Sequence, residues 1–143
     1  MPRLIIRKSR IPNSGFGLFT LDDIPRGGRI VEYAGRRRKW RDVKHLDGVN
    51  GYLLRLNRST AIDARPLNSG KGRYSNDAAG LSRVPGLRNN AEYLIYGDRV
   101  YIEAKRAIRK GEEILVSYGS EFWRLQRALA KALPRQEKRQ PVT

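Results

Sequence analysis

The sequence has no cysteine, which excludes disulfide staples, thiolate zinc sites and cysteine nucleophiles together. It has one histidine, His45, and a single imidazole cannot build a histidine metal site. Within its charged stretch that side chain is expected to be solvated. No metal site is expected, a carboxylate-bound magnesium being the one kind left open. Long apolar runs are missing too, and none approaches the ~20 residues that span a bilayer. The apolar core of Met1–Lys8 is too short for a secretory signal. The expectation is an intracellular protein with no membrane association.

Acidic residues are scarce. There are 14 Asp and Glu against 30 Lys and Arg, a formal charge of +16. The stretch from Pro134 onward contributes Arg135, Lys138 and Arg139 against Glu137, so nearly all of this charge belongs to the rest of the chain. Such a charge implies attraction to polyanions, nucleic acid or an acidic partner. No recognised nucleic-acid motif accompanies it, so a merely soluble basic surface competes with that reading. At 143 residues the chain has the length of one domain with a real core.

What is present is mostly short strands. Arg3 to Ser9 has an apolar centre, and Asn13 to Gly17 forms a turn before the half-buried pattern of Leu18–Leu21. Arg29–Tyr33 is the next strand, closed by Ala34-Gly35. Arg36 to Gly48 is strongly basic, and Trp40, Val43 and Leu46 recur every three residues, which predicts a short surface helix with one apolar edge. Tyr52–Leu56 and Thr60–Ala64 read as strands. Pro66 to Ala79 is long, polar and poor in apolar residues, and such segments in small domains often carry function. Glu92–Tyr96 and Arg99–Glu103 flank a hairpin turn at Gly97-Asp98. Gly111 launches a β-branched strand ending at Tyr118-Gly119. A helix over about 120–133 follows, with Ser120 as N-cap and Phe122, Leu125, Leu129 and Leu133 along one side. Residues 134–143 are expected to be a basic, disordered tail. Ile24-Pro25-Arg26-Gly27-Gly28-Arg29-Ile30 and Ile108-Arg109-Lys110-Gly111-Glu112-Glu113-Ile114 share isoleucine and glycine spacing, each a turn that launches a strand. The absence of βαβ alternation gives a mostly β domain.

Four separated features occur in a recognisable order: Gly15-Phe16-Gly17, Tyr33-Ala34-Gly35, Arg73-Tyr74-Ser75-Asn76, and Gly111-Glu112-Glu113-Ile114 leading to Tyr118-Gly119. Over roughly residues 3–123 the chain resembles a SET domain, most closely the minimal viral or bacterial type without zinc-binding flanking modules. The resemblance implies a mostly β, β-clip-like fold of several small sheets, with a knot-like C-terminal segment and a terminal helix. It implies a protein-lysine N-methyltransferase that uses S-adenosylmethionine and releases S-adenosylhomocysteine. Residues 1–133 would be the SET domain.

The site residues follow from the same motifs. Tyr118 matches the family's active-site tyrosine, and Tyr52 resembles its second channel tyrosine. Gly15, Phe16 and Gly17 would bring backbone close to the cofactor. Arg73, Tyr74, Asn76 and Asp77 would line the cofactor site, with Asn76 suited to a zwitterionic carboxylate and ammonium. Trp123 would offer a face to the adenine. Read without the resemblance, these residues are ordinary turn and core positions. Asp77 departs from the family's histidine, placing an acidic side chain by the adenine contact. Asn89-Asn90 stands where the family has proline-asparagine, after an insertion from Gly80 to Leu87. Val116 stands where many members carry an aromatic that limits methylation number.

Two functions emerge: a methyltransferase acting on a lysine of a histone or other basic, nucleic-acid-associated protein, and a basic module docking on nucleic acid. Arg36, Arg37, Arg38, Lys39 and Arg41 are the candidate phosphate contacts, unless Glu112, Glu113 and Glu121 attract a basic peptide directly. Homodimerisation is open, and the compartment would be cytoplasm or nucleoid, or the nucleus if the substrate is chromatin.

Overall fold

The computed structural model describes residues 1–47 and 50–119, together with Ala128. The expected helix over about 120–133, Trp123 within it and the 134–143 tail lie outside the described residues, Ala128 apart. Among the described residues, eight short strands form three small antiparallel sheets. β1 (Leu4–Lys8) pairs with β2 (Phe16–Thr20). β3 (Arg29–Glu32), β8 (Arg99–Ala104) and β7 (Ala91–Tyr96) form the second sheet, in that order. β4 (Arg36–Lys39), β6 (Thr60–Asp63) and β5 (Leu53–Arg55) form the third. Leu18, Ile30, Ile102, Ile108, Ile114 and Val116, each 1% exposed or less, make the centre of one shared core.

The two similar isoleucine–glycine stretches lie against each other. Ile24 and Ile108 exchange backbone hydrogen bonds of 2.7 and 2.8 Å. Gly27 N–H donates to the Ala104 carbonyl at 2.7 Å, and in mirrored fashion Gly111 N–H donates to the Thr20 carbonyl at 2.7 Å. Ala104 N–H then bonds Gly28, as Thr20 N–H bonds Glu112. Both turns need a left-handed residue, and Gly27 (φ 80°) and Gly111 (φ 90°) supply it. The result is two strand–turn–strand units clasped so that each leading strand pairs with the other unit's trailing strand. A seven-residue likeness in sequence is thus a symmetric contact in space.

The basic segment differs from the expected helix. Arg36–Lys39 is an edge strand paired with β6, and α1 covers only Trp40–Val43 before a 3₁₀ turn at Lys44–Leu46. The three-residue spacing was real but local. Backbone pairing with β6, about twenty residues away, took the arginines into a sheet, where their side chains stay largely in water. Trp40 stacks under the Arg55 guanidinium, 4.4 Å from ring centroid to Cζ.

The stretch ending at Tyr118 also differs from a plain strand. It changes partners as it runs: Glu113 bridges Phe19 in antiparallel sense, then Leu115 bridges Asn76 and Val116 bridges Ala91, both parallel. Residues 113–116 are buried and pass between β2, the Asn76 segment and the start of β7. Asn90 anchors this thread, its Nδ2 donating to the Glu113 carbonyl (2.8 Å) and its Oδ1 accepting from Leu115 N–H (2.9 Å).

Candidate active site

The thread delivers Tyr118 to a ring of tyrosines. Its hydroxyl donates to the Ser75 carbonyl, and its backbone N–H donates to Asp77 Oδ2 at 2.8 Å. Tyr33 and Tyr93 pack edge to face at 5.2 Å, and the Tyr33 hydroxyl donates to the Tyr52 carbonyl at 2.8 Å. Burial, followed by the neighbouring Tyr33, Asp77, Tyr52 and Glu113, pushes the Tyr118 phenol well above its ordinary range. Burial does the same to Tyr93, with Tyr118, Tyr33 and Asp77 contributing. Tyr118 and Tyr93 therefore stay phenols, not phenolates. Because Tyr118 gives its proton to Ser75, its oxygen can act toward any further group only as an acceptor.

Asp77 does not reach outward. The side chain is 4% exposed, and its Oδ1 accepts from Ala79 N–H (2.8 Å) and Asn89 Nδ2 (2.9 Å) while Oδ2 holds Tyr118. Asn89 Oδ1 in turn accepts from Ala78 N–H at 2.8 Å. The acidic departure is thus an internal brace that fixes where the Tyr118 backbone sits.

Gly15, Phe16 and Gly17 lead into β2 beside Asn76. Asn76 Nδ2 donates to the Phe16 carbonyl at 3.0 Å and to Glu113 Oε2 at 3.3 Å. Two acceptors on one nitrogen fix the amide's orientation, and Asn76 Oδ1 makes no hydrogen bond among the described residues. The Glu113 carboxylate also receives Ser9 Oγ (2.7 Å) and Arg10 N–H (2.9 Å). Gly17 is needed for this internal contact: a Cβ there would stand 2.2 Å from Glu113 Oε2, so the close approach expected of a ligand is made by Glu113. Glu113 is 2% exposed and is not the surface acid that would draw in a peptide. Phe16 is 62% exposed, its carbonyl held and its ring in solvent.

Arg73 and Tyr74 end a 3₁₀ turn at Lys71–Tyr74. The Arg73 guanidinium, 8% exposed, donates to the Ala64 carbonyl (2.8 Å) and the Arg65 carbonyl (3.1 Å). It lies between the Tyr52 ring (4.6 Å) and the Tyr74 ring (4.9 Å). Its charged end is committed to holding the polar segment and the half-buried Tyr52 together. Val116 is fully buried in the core. Beside Asn89 lies an open cleft of about 580 Å³, lined by Ala78, Ala79, Val84 and Leu87 and by Arg83, Arg88 and Lys105.

The structure brings together Tyr118, Tyr52, Asn76, Asp77 and the Gly15–Gly17 loop, and turns Arg73 inward. Sequence reasoning missed the supports: Ser9, Asn89, Asn90 and the inward course of Glu113. The Asn89-Asn90 pair was a visible signal, but nothing local indicated which backbone it would hold. Among the described residues no group of three or more His, Cys, Asp and Glu could hold a metal ion. No helix among them is long and apolar enough to cross a membrane.

Two clasped strand–turn–strand units, with a buried thread ending at a tyrosine beside an asparagine-braced glycine loop, define a β-clip class of domain. Comparison with known proteins gives the family: SET domain matches residues 15–119, and the chain belongs to it. It is 29% identical over 156 aligned positions to the histone-lysine N-methyltransferase EZH2 of Chaetomium thermophilum, covering 95% of this chain and 10% of that protein. It is 30% identical to human histone-lysine N-methyltransferase 2D, covering 82% of this chain and 2% of that protein. Identity to histone-lysine N-methyltransferase ASHH1 of Arabidopsis thaliana is 30%, covering 76% of this chain and 23% of that protein. The chain thus spans a small part of the length of these relatives. Among solved structures, a humanized mutant of the Chaetomium thermophilum Polycomb Repressive Complex 2 bound to the inhibitor GSK126 aligns with a TM-score of 0.68 at 26% identity, covering 88% of this chain and 16% of that one. The same complex in an autoinhibited conformation bound to S-adenosylmethionine gives 0.68 at 24% identity, covering 92% of this chain and 17% of that one, which supports the shared fold.

Proposed function

We propose that the chain is an S-adenosylmethionine-dependent protein-lysine N-methyltransferase domain. The observation that carries this reading is Tyr118, its hydroxyl pinned to the Ser75 carbonyl and its backbone pinned to Asp77. The Phe16 carbonyl, Asn76 Oδ1 and the nearby Glu113 carboxylate form an acceptor-rich spot in a chain of net charge +16. Such a donor-poor set suits a ligand that carries positive charge, as this cofactor does. Gly15, Phe16 and Asn76 would hold its methionine portion, and Asp77 backbone and Trp123 its adenine. When bound, the cofactor supplies a methyl group on a positively charged sulfur.

The protein's part is positioning. A substrate lysine must arrive neutral, against an ordinary pKa of ~10.4, and phenol-lined, partly buried walls disfavour the ammonium. The Tyr118 oxygen accepts an N–H of the amine and so aims the nitrogen lone pair. Tyr52, held through its carbonyl by Tyr33 and through its ring by Arg73, closes the other wall and excludes water. The substrate we propose is a lysine of a histone or another basic, nucleic-acid-associated protein, in line with the histone-lysine N-methyltransferases that the chain is similar to.

Tyr118→Phe tests the reading. The expected result is a fall in kcat of about 10²- to 10³-fold, the scale of losing one positioned hydrogen bond in a transition state. Cofactor affinity stays within about threefold. An unchanged rate, or wild-type protein that shows no cofactor binding by calorimetry, would sink it.

A further inference from the structure

Glu113 has a consequence beyond support. Among the described residues, every group that hydrogen-bonds its carboxylate is a donor. Arg10 and Asn76 present N–H groups, and Ser9 Oγ accepts from Ile11 N–H at 3.1 Å and donates its own proton to Glu113 at 2.7 Å. A carboxylate that only accepts is in its ionised form. Yet no cation lies within ion-pair distance of it among the described residues, although Lys and Arg outnumber Asp and Glu 30 to 14. A buried negative charge is normally paired with a cation or coordinated to one. This one is solvated by neutral donors and backs directly onto Asn76 and, through it, the Phe16 carbonyl.

We infer that Glu113 is an electrostatic positioning residue, whose uncompensated charge makes the pocket discriminate the cationic sulfonium cofactor from its neutral thioether product. The inference rests on the proposed cofactor. The two ligands share the amino-acid, ribose and adenine groups and differ at the reacting sulfur by one methyl and one positive charge. Hydrogen bonding and shape act nearly alike on both, whereas a fixed charge acts on one. Glu113 would act without touching either ligand, because its carboxylate lies behind Asn76, which also holds the Phe16 carbonyl. Loss of the methyl would leave the sulfur neutral, so the attraction from Glu113 would vanish and product release would be eased.

The test measures binding of S-adenosylmethionine and S-adenosylhomocysteine to the full chain by calorimetry, in wild type, Glu113→Gln and Glu113→Asp. For unit charges on the order of 10 Å apart at an effective dielectric of about 20, the effect is roughly tenfold. The expected result is that Glu113→Gln lowers the ratio of product Kd to cofactor Kd by about tenfold. Glu113→Asp, which keeps the charge, leaves that ratio within about twofold whatever it does to the individual affinities. Equal weakening of both ligands by glutamine overturns the inference and leaves the cofactor reading intact, because a purely structural brace acts on both alike. A tenfold drop in the aspartate protein overturns it as well, and serves if the glutamine protein does not fold. Wild-type protein that binds neither ligand overturns both.

Discussion

Tyr118 owes its place to three groups that sequence alone does not connect. Its hydroxyl is fixed by the Ser75 carbonyl, its N–H by Asp77, and Asp77 by Asn89. An acidic residue at position 77 thereby becomes part of the tyrosine's mounting. Ser75 carries a second, unhelpful feature: its Oγ is buried with no hydrogen-bond partner among the described residues. A buried hydroxyl that gave up water without gaining a partner is a net loss. Ser75→Ala is therefore expected to raise the unfolding free energy by roughly 1 kcal/mol while keeping the carbonyl that Tyr118 uses. Chemical denaturation checks it, and a destabilised alanine protein would contradict the bookkeeping.

At the scale of elements, the decisive piece is the thread 113–116. It belongs to no sheet, so its backbone bonds come from β2, Asn76 and Asn90 in turn. Asn90 is 2% exposed and fills both a donor and an acceptor role. Asn90→Ala would strand a buried carbonyl and a buried N–H, costing about 2–4 kcal/mol. The displaced thread would also move Tyr118. Denaturant titration together with a methyl-transfer assay reads both effects, and unchanged values in both would show that the thread is held by its other bonds. The same logic explains the arginine strand: β4 exists because β6 offers it a ladder, not because arginine favours strands.

For the whole molecule, the charge of +16 sets a long-range preference for polyanions. The basic strand is unevenly available. The Arg37 side chain bonds the Asp98 carbonyl and Arg38 faces Asp63 at 3.6 Å, whereas the exposed Arg36 and Lys39 have no ion-pair partner among the described residues. If the basic strand contacts DNA, charge reversal at Arg36 and Lys39 weakens that binding and flattens its salt dependence, lowering the log–log slope by about two for two lost phosphate contacts. Filter binding across a salt series measures this. An unchanged slope would remove β4 from the polyanion surface.

The sequence by itself determined much here. Strand positions were legible because period-two patterning and turn glycines are local signals, and β1, β2, β3, β7 and β8 fall where they point. The motif order from Gly15 to Tyr118 identified the family. Only the tertiary structure decided where the polar side chains point. Arg73 and Asp77 read as cofactor-site residues and Glu113 as an acid that attracts a peptide, but each side chain turns to partners within the fold, Arg73 to the Ala64 carbonyl, Asp77 to Tyr118 N–H and Glu113 to Arg10 N–H. Burial of a charged group depends on partners that folding brings together, and no local pattern encodes them. Glu113 follows the glycine of the stretch ending at Tyr118, and the fold turns that unremarkable acid into a buried carboxylate that holds the Asn76 amide.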